Sequence, residues 1–310
     1  MDMNTYQRDA LRTDRVPADG EGEGDLEPAL IVPMLGLAGE TGQLLSEYKK
    51  HLRDGDAHRL FKERVAEELG DLLWYIANVA SKFGLSLGHI ASKNLEKVSG
   101  RWMDTASGPL VFDEGFPEGE RLPRRFEVEL QEAELEGRRC VHVWVNGVRF
   151  GDRLTDNSYD SDGYRFHDVF HFAYACVLGW SPVIRKLLKC KRKSNPLLDE
   201  VEDGGRAGVI EEGVAALAFT YAQQHRFLDG VSAIDSHLLQ TIKSMTAHLE
   251  VGRCTTGEWE QAILQGFRVW REVVEHSGGR IAVDLDQRCI EYAGLPQADA
   301  QADAPGARPS

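Results

Sequence analysis

The sequence has no long apolar run, no paired cysteines and no excess of positive charge, and each absence removes a class of protein. The longest apolar stretches, such as that around Leu72 to Ala80, fall far short of the roughly 20 residues that cross a bilayer. Met1 to Arg15 is too polar for a secretory leader, so the expectation is a cytoplasmic chain without a membrane partner. The five cysteines, Cys140, Cys176, Cys190, Cys254 and Cys289, are odd in number, scattered and without a CxxC pair. They predict reduced packing residues rather than a disulfide framework or a thiolate zinc site. With 36 Lys and Arg against 50 Asp and Glu, the net charge is −14, a balance that repels phosphate backbones, so no nucleic-acid partner is expected. The Gly-rich GEGEG and GGR carry no P-loop or dinucleotide fingerprint, and no Ser/His/Asp or Cys/His order stands out. An anionic substrate must then be held by metal ions or by a few focused cations.

What is present is mainly helical periodicity, and the expected fold class is mainly α. Tyr6, Ala10 and Leu11 give a short amphipathic piece, and Val16 to Glu27 reads as a solvated loop. Helices are predicted over about 30–53, 60–83 and 86–102, with Gly84 as a terminator and Ser86 as the next cap. In the second of these, Val65, Leu69, Leu72, Leu73, Ile76 and Val79 recur at helical spacing and predict one buried stripe. Alternation near 126–132 and 140–150, with turn signals at Glu136-Gly137 and Asn146-Gly147, predicts a small antiparallel meander. Helical periodicity resumes near Arg165 and continues to His276, before a Gln-, Ala-, Asp- and Pro-rich tail. The expected organisation is an N-terminal helical bundle over 1–102, a β-rich linker module over 103–160, a C-terminal helical domain over 161–294 and a disordered tail over 295–310.

Polar residues interrupt the apolar stripes at informative places. Glu40 lies between Leu37 and Leu44 with Gln43 close on the same face, in GLAGETGQLL. Glu68 and Asp71 repeat this i, i+3 arrangement among Val65, Leu69, Leu72 and Tyr75, in VAEELGDLLWYI. An ExxD on one helix is ordinarily a solvated face, but two such pairs in apolar context carry a desolvation cost that a hard cation between facing helices would offset. Gly39, Gly42 and Gly70 are small enough to let those helices approach.

Over Tyr6 to Trp102, about a third of the chain, the sequence resembles the all-α nucleoside triphosphate pyrophosphohydrolases of the MazG-like family. YQRDALRT, GLAGETGQLLSEYKK, EELGDLLWYIANVA and NLEKVSGRW carry the resemblance. It implies Mg²⁺, with Mn²⁺ as an alternative ion, held by Glu40, Gln43, Glu68 and Asp71. Gln43 departs from the family's ExxE and costs the site one negative charge. The implied reaction is attack of a water on the α-phosphorus of a nucleoside or deoxynucleoside triphosphate, releasing monophosphate and pyrophosphate. Glu40, Glu68, Asp71 and the neighbouring Glu67 are the candidate catalytic carboxylates, with Glu47 as another nearby acid. Asn94, Lys97 and Arg101, on one face of the third long helix, are candidate phosphate contacts. Trp74 is a candidate base-stacking residue that core packing would explain as well. A non-catalytic nucleotide sensor with a degenerate metal site is the alternative function.

A second cluster stands apart from this resemblance. His167, Asp168 and His171 form HDxxH, with the two imidazoles on one helical face, and Glu211 and Glu212 in EEGVAALAF echo EELGDLLWYI. They mark a second candidate site, and the echo suggests a diverged copy of the first helical pair. A homo-oligomer, a dimer, is expected unless the C-terminal helices complete the bundle. The basic run Arg185, Lys186, Lys189, Lys191, Arg192 and Lys193 reads as a patch for polyphosphate or RNA, or as a solvated helix end.

Overall fold

A computed structural model describes residues 1–15, 26–102 and 111–295; the residues 16–25, read above as loop, 103–110, the start of the expected linker module, and the tail from 296 lie outside the described residues. The chain divides into two compact units, Met1–Ser99 and Gly100–Ser310.

The first unit is helical. Asp2 caps α1 (Met3–Leu11) by accepting the backbone N–H groups of Asn4 and Thr5. Next come α2 (Leu26–Asp54), α3 (Phe61–Lys82) and α4 (Leu87–Trp102). Gly84 takes a left-handed φ of 65° after α3, and Ser86 Oγ accepts from the His89 N–H to start α4. Gly36 faces Tyr75, Glu40 lies beside Glu68, and His51 stacks on Phe61, so α2 and α3 run antiparallel. The close approach is at Gly36, where a Cβ would come within 2.2 Å of the Tyr75 ring. Gly39, Gly42 and Gly70 have open space where a Cβ would stand and do not bring the helices together. Gln7 ties α1 to the α3–α4 turn, donating to Ser81 Oγ and Leu85 O and accepting from Leu87 N.

The second unit is built on a sheet. Strands β1 (Arg125–Leu135), β2 (Arg138–Val145) and β3 (Val148–Leu154) form the meander, with Glu136-Gly137 and Asn146-Gly147 at φ of 53°, 74°, 49° and 77°, the paired left-handed residues of tight hairpins. Helices α5 (Asp168–Leu178), α6 (Pro182–Leu187), α7 (Pro196–Val201), α8 (Gly205–Gln223), α9 (Ser236–Thr246) and α10 (Thr256–Glu275) follow, and the chain returns as β4 (Gly278–Asp284) and β5 (Cys289–Gly294). β4 pairs antiparallel with β1, giving the order β3-β2-β1-β4-β5. Phe126, Val128 and Leu130 alternate inward on β1, as do Val141, Val143 and Val145 on β2, and Phe126 meets Phe172 of α5, every residue of which is buried. Gly266 lets α10 approach α5, its would-be Cβ lying 3.1 Å from Ala173 Cβ.

The expectation of a mainly α protein is therefore corrected: 58% of the structure is helical, and a five-stranded antiparallel sheet makes the fold mixed α/β. The last two strands went unread because their partner, β1, lies some 150 residues earlier, and because GGRIAVD opens on two glycines that mimic a loop. Those glycines are required. At φ of 132° and 137°, Gly278 and Gly279 bring β4 so close to Leu130 O and the Tyr292 ring that a Cβ would come within 2.4 Å of either.

Candidate functional site

The facing of α2 and α3 brings Glu40, Glu68 and Asp71 together, each offering one carboxylate oxygen, all within 4.8 Å of one another. Glu68 is buried, Glu40 half-buried and Asp71 exposed, so the cluster opens to solvent on the Asp71 side. Desolvation, then the adjoining Glu40 and the charges of Asp71 and Glu67, raise the Glu68 carboxyl above its ordinary range. Among the described residues no lysine or arginine pairs with these three acids; Arg64 is engaged by Glu67 at 2.8 Å and Lys50 by Glu47. An all-oxygen, mutually repelling donor set fits a hard divalent cation.

Gln43 stands beside this cluster. Its Nε2 donates to Glu40 Oε2 at 2.8 Å, so it orients a carboxylate rather than adding one. Glu47 is buried and committed to Lys50 and to His58 Nε2 at 2.9 Å. Trp74 packs with Ala10, Ala77 and Leu87 and donates from Nε1 to Thr13 Oγ1 at 2.8 Å, which places it between α1 and α3 and not on an open base-binding face. Asn94 is exposed on α4, and the side chains of Lys97 and Arg101 lie outside the described residues.

The second cluster also assembles. At the start of α5, one ligating atom each of His167, Asp168 and His171 falls within 4.8 Å of the others, and all three residues are buried. Glu211 is fully buried on α8 and accepts from His171 Nδ1 (2.9 Å), Ser181 Oγ (2.6 Å) and Val183 N (2.9 Å). Glu212 brings Oε2 to 3.3 Å from His171 Nε2. Burial opposes charge on His171, yet Glu211 and Glu212 push its pKa up to about 10; burial, against the pull of His167 and His171 and with the Glu212 charge added, drives the Asp168 carboxyl up. Tyr164, stacked on the His167 ring at 4.6 Å, is pushed up to about 12 by burial and then by the Glu212 charge.

The basic run separates by function. Arg185 bonds Asp113, and Arg192 is held by Asp203 and Glu250, both arginines fully inside; Lys191 pairs with Asp199 at 2.7 Å. Of that run, Lys186, Lys189 and Lys193 are exposed. Nothing in the one-dimensional pattern of charges separates a buried arginine from a solvated lysine; the signal was the supply of distant acids, Asp113, Asp203 and Glu250.

Among the described residues the mixed α/β protein thus carries one carboxylate cluster and two histidine–carboxylate clusters, the buried one at His167, Asp168 and His171 and a more exposed one at Glu272, Glu275 and His276 at the end of α10. A family profile described as the MazG C-terminal domain matches residues 107–296, and the chain belongs to that family. The match lies on the second unit, not on the Tyr6–Trp102 stretch from which the resemblance was drawn, so the family is shown while its N-terminal placement is not. A curated relative, the Gene 37 protein of Mycobacterium phage L5, is 34% identical over 103 residues, 33% of this chain and 89% of that protein. No solved structure matches the chain. Membership suggests, at family level, a nucleotide pyrophosphohydrolase-like function and a hydrolase. No helix among the described residues is long and apolar enough to cross a membrane.

Proposed function

We propose that the first unit is a MazG-like catalytic domain that hydrolyses nucleoside or deoxynucleoside triphosphates to monophosphate and pyrophosphate, with Mg²⁺, or Mn²⁺ in its stead, held by Glu40, Glu68 and Asp71. The observation that carries this reading is the convergence of three carboxylates from two helices, none paired with a lysine or arginine among the described residues, with the buried Glu68 raised by desolvation and by its neighbours. When bound, the metal would neutralise triphosphate charge and polarise the scissile phosphoanhydride. Gln43 fixes the Glu40 carboxylate through its Nε2 bond and so presets one ligand. Glu67, exposed and one residue from the cluster, is placed to take a proton from an attacking water once released from Arg64. Asn94, with Lys97 and Arg101 on the same helix, would meet the phosphates. The working state is a homodimer: α2, α3 and α4 expose Leu35, Leu45, Leu52, Leu69, Ile76 and Leu95, a face that a second copy would cover.

The test is product analysis of the full chain with Mg²⁺ and each NTP and dNTP, beside Glu68→Ala. Monophosphate and pyrophosphate are expected, falling about 10²–10³-fold in the variant, because metal stabilisation of phosphoryl charge is worth several factors of ten. A second reading rests on Gln43: its amide occupies Glu40 and supplies no charge, which favours a nucleotide binder without turnover. Wild-type inactivity with activity appearing in Gln43→Glu would establish the binder; wild-type turnover removes it.

A further inference from the structure

We propose that His167, Asp168, His171 and Glu212 form a second metal centre, a site of two imidazoles and two carboxylates for a borderline first-row ion such as Zn²⁺. His167, Asp168 and His171 each bring one ligating atom within 4.8 Å of the others, and Glu212 reaches this group through His171 alone, so it would join by a side-chain movement. His167 Nε2 lies 3.6 Å from Asp168 Oδ1 and His171 Nε2 lies 3.3 Å from Glu212 Oε2. Donors about 2.0–2.1 Å from a tetrahedral ion stand about 3.3 Å apart. His171 Nε2 is fully buried, and the Glu212 oxygen beside it does not meet hydrogen-bond geometry, so Nε2 is left without a hydrogen-bond partner. A buried imidazole nitrogen left so is costly unless something else engages it.

The outer contacts select the same atoms. His167 Nδ1 is bonded to Tyr164 O at 2.8 Å and His171 Nδ1 to Glu211 Oε1 at 2.9 Å. With each Nδ1 so committed, Nε2 of each ring is the atom turned to the shared space, and an incoming divalent ion would take the place of the Nε2 proton that His171 carries beside Glu212, the proton leaving to solvent. Glu211 is itself pinned by Ser181 and Val183, and the Tyr164 ring lies flat against His167, so both imidazoles are fixed before any ion arrives. Two imidazoles disfavour Mg²⁺, and two carboxylates balance a divalent charge in a buried setting. Glu212, its side chain 48% exposed, closes the solvent side as a ligand able to swing away.

This inference is independent of the carboxylate cluster on α2 and α3, and its test separates them. The full-length chain is stripped with chelator and titrated with Co²⁺, followed by visible d–d absorption, then challenged with Zn²⁺ and with excess Mg²⁺. One Co²⁺ per chain with tetrahedral intensity is expected, displaced by Zn²⁺ and retained against Mg²⁺. His167→Gln is expected to abolish the tetrahedral spectrum and Glu212→Gln to weaken binding at least about 10-fold, both with native circular dichroism. Glu68→Ala leaves the spectrum unchanged. Absence of stoichiometric Co²⁺ or Zn²⁺ in the wild type, or a spectrum indifferent to both substitutions, overturns the proposal and leaves His171–Glu211 as an ion pair of the core.

Discussion

The two units solve the problem of burial differently. In the second, β1 and α5 sit inside a continuous core that runs from Leu122 to Ile290 and includes Trp180, Trp259, Phe170 and Phe267, all but shielded from water. In the first, the buried apolar cluster is Ala10, Ala77 and Leu87, with Tyr6, Leu73 and Trp74 packed against it. The long helices α2 and α3 leave Leu35 67% and Leu69 51% exposed. The second unit has the interior of an ordinary domain; the first leaves large apolar side chains on its surface. Its polar ties, Gln7 to the α3–α4 turn and Lys82 to Asp14, fix helix directions without supplying much apolar burial.

That contrast breaks most readily by truncation. Trp259→Ala removes a fully buried indole that meets Trp180 and Tyr174 edge-on, and is expected to cost about 3–5 kcal/mol, seen as loss of the cooperative transition of the second unit in denaturant. Leu69→Ala at the half-exposed position on α3 is expected to cost less than about 0.5 kcal/mol in a monomer. An equal cost at both sites would show that the first unit's face is covered. A smaller effect on stability, but a decisive one on assembly, is expected of the pair Leu45→Glu and Leu52→Glu on α2, which are 63% and 69% exposed. Light scattering should move from dimer to monomer with the second unit's melting unchanged. A wild type already monomeric would remove the dimer.

The parts of this design that could be read in one dimension are the local ones. Glu40, Glu68 and Asp71 were visible because a carboxylate inside an apolar stripe is locally anomalous, and the meander because Glu136-Gly137 and Asn146-Gly147 write their own turns. The buried stripe on α3 was read too generously, since periodicity reports a shared face and not what covers it: Leu69 and Ile76 lie on that face and remain exposed. What escaped was set by contacts distant in sequence. β4 finds β1 and Arg192 finds Glu250; no spacing rule connects such partners. The roles of Glu211 and Glu212, adjacent in sequence, divide only in three dimensions, one sealed against Ser181 and one facing solvent.

The cysteines offer the gentlest probe of the comparison, because all five belong to the second unit. Burial pushes the Cys176 and Cys254 thiols up to about 12, and it also raises Cys190 and the partly exposed Cys289. A thiol with a raised pKa holds little thiolate at neutral pH, and the thiolate is the nucleophile. In the native chain at pH 8, a disulfide reagent should therefore modify Cys289 first and slowly, with Cys176 and Cys254 silent until the second unit opens. Conditions that dissociate or unfold only the first unit, including the Leu45→Glu and Leu52→Glu substitutions, should leave that labelling pattern as it is. Labelling of Cys176 at the rate of Cys289 would show that the sheet and α5 open as readily as the exposed helices, and would erase the difference in cohesion between the two units.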